Sequence, residues 1–181
     1  MGSSVKDDEL IFEEKSEAFT VSIGLSSDEK YFFISTSDHN TSEQYYFSVN
    51  EEKPKPKLIQ ERKKGIIYSV NSWDSFFYKH TNEEAEDFKI VKCNNLAEQN
   101  WKTFIPAKNE VLIGGLVFLK DWIIRSETSD ALGKLFLRNP KTNKEAVSYT
   151  HLRAHETLRY RVCRSRRGKK RRGGGGGGGG G

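Results

Sequence analysis

Apolar and polar residues alternate over FTVSIGL at 19–25, which puts Phe19, Val21, Ile23 and Leu25 on one side of an extended chain. The polar turn SSDEK follows, then KYFFIST at 30–36, a continuous apolar run that suits a strand covered on both faces. After SDHNTSE comes a third apolar run, QYYFSVN at 44–50. Pro54 and Pro56 mark a loop or sheet edge, because proline cannot donate to a strand ladder, and LIQE at 58–61 reads as a short outer strand. The order then repeats. GIIYSVNS (65–72), DSFFYKHT (74–81), DFKIVKC (87–93) and WKTFIP (101–106) form a second cycle. VLIGGLVF (111–118), DWIIRSE (121–127) and KLFLRNP (134–140) open a third. Asn, Asp, Ser, Gly and Lys clusters separate the runs, as strand-and-turn sequences require.

Aligning the second strands places Phe32, Phe77 and Trp122 at 45-residue steps, and the first strands give Val21, Ile66 and Val111 at the same step. A four-stranded unit recurring at about 40–50 residues is the period of propeller blades. A β-sandwich is the competing architecture, but its strands are more closely spaced and carry no such register. The expected fold is therefore all-β: a partial β-propeller of about three four-stranded blades, over 9–61, 62–106 and 110–140. Residues 1–8 are expected to be a disordered N-terminus.

Charge is unevenly spread. Residues 1–146 hold 20 Lys and Arg against 24 Asp and Glu, whereas residues 147–181 hold 10 basic residues and one acidic one. The positive excess of +5 thus resides wholly in the tail. Two cysteines, Cys93 and Cys163, make no disulfide framework, and Cys93 reads as a small strand residue. No apolar run reaches the length of about 18 residues that a membrane helix needs. MGSSVKDDEL lacks the apolar core of a signal peptide, and Lys6 stands where a myristoylation motif wants Ser or Thr. Together these features lead us to expect a soluble, cytoplasmic protein.

Candidate chemistry is sparse. No G-x-S-x-G elbow occurs, and GLSSD at 24–28 reads as a strand end and turn. His39 and His80 fall in polar segments and read as solvated loop residues. No His, Cys, Asp and Glu grouping has zinc-ligand spacing. NEEAED at 82–87 lacks the alternating ligands and central glycine of a calcium loop and reads as a solvated turn. Gly114-Gly115 lies within a strand, so a bulge or a close backbone approach is expected there rather than a phosphate loop. Trp73, Trp101 and Trp122 read as blade packing.

LIFEEKSEAFTVSIGLSSDEKYFFISTSDHNTSE resembles the propeller of the prolyl oligopeptidase family of serine peptidases, with oligopeptidase B the most similar branch. The resemblance runs through Glu13-Glu14, Phe19, Ser26, Lys30-Tyr31 and Thr41-Ser42-Glu43. It continues through Asn100-Trp101, Phe104-Ile105-Pro106, Val111-Leu112, Phe118 and Asp121-Trp122, covering roughly residues 9–140. It implies a seven-bladed propeller capping an α/β-hydrolase domain of the same chain and screening its active site, with short peptides cleaved after Arg or Lys. It also implies that Ser, Asp and His come from the hydrolase domain, which nothing here matches. No catalytic residue, cofactor site or metal ligand is therefore expected in this chain, and no cofactor, nucleic acid or membrane partner. Two alternatives stand beside this reading: the prolyl endopeptidase-like branch, and a stand-alone propeller that binds protein partners.

The tail calls for a separate reading. VSYTHLRAHET at 147–157 matches a translated sequencing-library adapter, Val162-Cys163-Arg164 fits its next section, and nine glycines at 173–181 fit a run of G base calls. The native sequence is thus expected to end near Ala146, and 147–181 to be an artefactual, disordered basic and polyglycine tail. As a biological tail, SRRGKKRR at 165–172 would instead be a nuclear-localisation or phosphate-contacting segment.

Overall fold

The computed structural model describes residues 9–149. The expected N-terminal disorder over 1–8, and all of the tail from residue 150 onward, lie outside the described residues. Twelve strands form three antiparallel four-stranded sheets, each a meander in chain order. Sheet 1 contains β1 (Thr20–Leu25), β2 (Tyr31–Ser37), β3 (Ser42–Ser48) and β4 (Lys57–Gln60). Sheet 2 contains β5 (Tyr68–Trp73), β6 (Phe76–Thr81), β7 (Lys89–Cys93) and β8 (Lys102–Ile105). Sheet 3 contains β9 (Leu112–Leu119), β10 (Trp122–Ser129), β11 (Leu132–Arg138) and β12 (Glu145–Tyr149).

The sheets pack face to face through two apolar cores. Between sheets 1 and 2, Phe33 and Ile59 meet Tyr68, Val70, Phe77, Cys93 and Leu96. Between sheets 2 and 3, Trp73, Tyr78, Ile90 and Ile105 meet Ile113 and Ile123. Sheet 2 is covered on both faces, which is why Phe77 and Tyr78, neighbours in sequence, are both buried. This stacking of meanders is the partial propeller expected from the repeat.

Two details differ from the expected pattern. Sheet 3 has a fourth strand, β12, whose pairing with β11 runs from Arg138↔Glu145 to Lys134↔Tyr149. It lies beyond the expected end of the third blade at 140, and the boundary drawn after Ala146 falls inside it. The 45-residue alignment also fails at Trp122. Gly114 and Gly115 of β9 stand opposite the single residue Ser126 of β10, so the ladder shifts between Arg125 and Glu127. This is the bulge expected at the glycine pair. The extra residue advances everything after it by one, and side chains alternate with a period of two. Ile123, 2% exposed, therefore takes the packing place of Phe77, while Trp122 is 37% exposed on the opposite face. Of Val21, Ile66 and Val111, only Val21 lies in a strand; Ile66 and Val111 sit in the links that lead into sheets 2 and 3.

The outer faces of the stack remain open. Val21, Ile23 and Leu25 of sheet 1 are 48–59% exposed, as are Val117 and Leu119 of sheet 3 at 47–56%. The segment before β1 covers part of sheet 1, with Phe12 against Tyr45 at 4.8 Å between ring centres.

Candidate functional site: the seams between the sheets

The polar chemistry of the described residues is concentrated where one sheet meets the next. The first seam, between sheets 1 and 2, is stitched by side chains that stand in for strand pairing. Ser42 Oγ donates to Tyr68 O at 2.8 Å and accepts from Tyr68 N at 2.7 Å. Val70 N donates to Gln44 Oε1 at 2.6 Å, and Gln44 Nε2 donates to Ser35 Oγ at 2.7 Å. The Tyr68 hydroxyl accepts from Gln44 N at 2.9 Å and donates to Gln60 O at 2.6 Å. These groups are inside the seam, so an unmade bond there costs the full desolvation of its polar atom. Burial also pushes the Tyr68 phenol up to about 12. At the loop end of β1, Ser72 Oγ donates to Asp28 Oδ2 at 2.8 Å, and Asn71 and Ser27 exchange bonds of 2.9 and 3.0 Å.

Charged groups lie on both faces of sheet 1: Arg62 joins Glu14 and Glu43 on the face turned away from sheet 2, and Lys79 sits in the seam itself. Arg62 lies 2.6 Å from both Glu14 and Glu43 and packs its guanidinium 4.2 Å from the Phe19 ring centre. Its hydrogen bond to Glu14 holds that carboxyl below the ordinary carboxylate range. Lys79 is 5% exposed, yet its ammonium has partners: Gln60 Oε1 at 2.9 Å, Glu83 at 3.6 Å and the Trp101 ring centre at 4.7 Å. Burial pulls its pKa down, against the pull of Glu83. Glu83 also receives Lys63 Nζ at 2.8 Å, whose hydrogen bond lowers its pKa. The expectation of a solvated acidic turn at 82–87 therefore fails at Glu83, which links Lys63 of the inter-sheet link to the buried ammonium of Lys79. Glu84 remains exposed.

The second seam, between sheets 2 and 3, is built differently. Its hydrogen bonds among the described residues converge on one residue: Ile113 N donates to Asp87 O at 3.0 Å, and His80 Nε2 donates to Ile113 O at 2.7 Å. His80 was expected in a solvated loop. It lies instead in β6, flat against Phe88 at 4.5 Å between ring centres, and burial lowers its pKa. The strand DSFFYKHT was expected to run through Thr81; its polar letters hid only the burial of His80. His39 is exposed in its loop, as expected. The remainder of this seam is apolar and aromatic, with Trp73 stacked on Phe118 at 5.7 Å and Tyr78 against Phe118 at 5.0 Å, and one charged group crosses it, Arg138 over the Phe104 ring at 4.7 Å.

Within sheet 3, Arg125 is 4% exposed between Glu127 Oε1 at 2.8 Å and Glu145 Oε2 at 2.5 Å, above the Phe136 ring at 4.2 Å. Burial opposes its charge, but the two carboxylates outweigh it and its pKa rises. Lys108, in the link from sheet 2, reaches Glu127 at 2.9 Å. Lys63 and Lys108 are 45 residues apart, and each pairs with a carboxylate of the sheet it leads into.

Among the described residues no hydroxyl or thiol hydrogen-bonds a histidine, and no three His, Cys, Asp or Glu residues are grouped to hold a metal. Cys93 is buried in the first core with its thiol pKa raised by burial, so it is not an activated nucleophile. Trp73 and Trp101 pack in the cores as expected; Trp122 does not.

A family model described as "Prolyl oligopeptidase, N-terminal beta-propeller domain" matches residues 1–170. The chain belongs to the prolyl oligopeptidase family, within its N-terminal β-propeller domain. Protease 2 of Moraxella lacunata is 33% identical over 127 residues, 64% of this chain and 18% of that protein. Human prolyl endopeptidase-like is 29% identical over 119 residues, 64% of this chain and 16% of that protein. Oligopeptidase B from Trypanosoma brucei superimposes with a TM-score of 0.74 at 20% identity, over 83% of this chain and 22% of that one. The chain thus spans about a fifth of the length of the relatives it matches. Of the prolyl oligopeptidase propeller, the described residues supply three sheets.

Proposed function

We propose that these three blades belong to a longer propeller that screens the active site of a serine-hydrolase domain in the same polypeptide, admitting short peptides and excluding folded proteins. The observation that carries this reading is the pair of open apolar faces on sheets 1 and 3. Sheets 1, 2 and 3 already bury the corresponding faces against one another, and a blade is stable only when both of its faces are covered. Further blades on both sides complete that pattern. Among the described residues no hydroxyl or thiol is paired with a histidine, and this reading places catalysis in the hydrolase domain.

The likeness to oligopeptidase B supports cleavage after Arg or Lys by the full-length protein. The similarity to prolyl endopeptidase-like proteins supports a second reading, a divergent branch with other substrates. Hydrolysis of two fluorogenic peptides that differ only in Arg or Pro before the scissile bond separates them. Faster cleavage after Arg supports the first reading. Cleavage of neither, with the serine unreactive toward a fluorophosphonate, contradicts peptidase function and leaves a binding propeller.

A further inference from the structure

The two seams differ in how they resist motion. The first is crossed by directional bonds spread along it: Ser42 to both backbone atoms of Tyr68, Gln44 to Val70, Asp28 to Ser72, and Lys79 to Gln60. Gln99 Nε2 extends the series to Ile59 O at 2.7 Å. Sliding or parting sheet 1 from sheet 2 breaks these bonds together and strands buried polar atoms. The second seam is an apolar and aromatic contact, with Arg138 over the Phe104 ring, and its hydrogen bonds among the described residues meet at Ile113. Apolar contact is non-directional, so such a surface can shift while most of its area stays covered. Lys108, pairing with Glu127, ties the link to sheet 3, so the link travels with that sheet.

We propose that this part of the propeller flexes at the second seam, with sheets 1 and 2 moving as one body, sheet 3 parting from them, and the Asp87–Ile113–His80 bonds acting as the latch. The imidazole holds the latch from sheet 2: stacked on Phe88, it aims Nε2 at a carbonyl of sheet 3. Opening there would widen the gap between two blades while leaving each sheet intact. A hinge of this kind needs no peptidase activity, so its test is independent of that reading.

Residue-resolved amide hydrogen exchange on the full-length protein provides the test. The amides of Tyr68 and Val70 report the first seam, because both donate to sheet 1 side chains. The amide of Ile113 reports the second. The expected result is exchange at Ile113 at least about tenfold faster than at Tyr68 and Val70, a difference of about 1.4 kcal/mol in opening free energy. Equal or slower exchange at Ile113 overturns the hinge. His80→Phe keeps the ring but removes the donor. It should speed exchange at Ile113 and leave Tyr68 and Val70 unchanged; a rise at all three amides together overturns the latch assignment.

Discussion

A side-chain carbon on Gly114 would overlap Ser126 Oγ across the β9–β10 ladder, whereas one on Gly115 would meet nothing within 4 Å. The two adjacent glycines of the bulge therefore have different duties: Gly114 permits the close approach, and Gly115 only occupies the extra position. Gly114→Ala should destabilise the full-length protein by about 1–3 kcal/mol, the usual cost of overpacking. Gly115→Ala should cost less than about 1 kcal/mol, and Ser126→Gly should recover most of the Gly114→Ala loss. Chemical denaturation midpoints check all three. Equal losses at both glycines would contradict this division.

Tyr68→Phe removes a hydroxyl that closes the first seam at Gln44 N and Gln60 O. Each partner loses this bond inside the seam, so a loss of about 1–3 kcal/mol is expected. Phe at this position keeps the ring in the core, which separates the hydrogen-bond cost from the packing cost. An unchanged denaturation midpoint would show that water replaces the hydroxyl.

Much of this architecture is legible in the sequence, and the exceptions have physical causes. The repeat of four short strands, the turn at GLSSD and the bulge at Gly114-Gly115 follow from periodicity and glycine chemistry. The burial of His80 was not legible, because Lys79, His80 and Thr81 read as polar while sheet 2 buries both faces and gives each of these side chains a partner. Trp122 misled for the opposite reason: a one-residue bulge reverses the facing of everything after it. β12 straddles the tail boundary, so residues 147–149 read as adapter rather than as strand, while Glu145 is held beside it by Arg125. The role of Glu83 could have been suspected from the 45-residue spacing of Lys63 and Lys108 and their carboxylate partners.

The buried imidazole gives the stability a sign with pH. Burial lowers the His80 pKa from 6.5, so the unfolded chain binds the proton more readily than the folded one. Its contribution is fully present above about pH 6.5 and is lost as the pH falls from there toward the lower folded value. The difference in stability between the native protein and His80→Phe should therefore narrow on acidification through this window. A difference that stays constant would show that His80 titrates alike in both states.

The open faces predict opposite outcomes in different contexts. Ile23, 59% exposed here, should be covered by a neighbouring blade in the full-length protein. Ile23→Lys should then destabilise that protein by several kcal/mol, because an unpaired ammonium would be buried. In residues 9–149 alone, the same change should reduce self-association of an exposed apolar face. A neutral effect in the full-length protein would mean that the face is not covered.

The most direct measurement is cleavage by the full-length protein of one recognition sequence presented in two ways: as a free short peptide, and as a surface loop of a stably folded carrier protein. The account predicts hydrolysis of the peptide and at least about a hundredfold slower cleavage of the loop. Comparable rates on both, or cleavage of neither, would contradict a propeller that screens a peptidase active site.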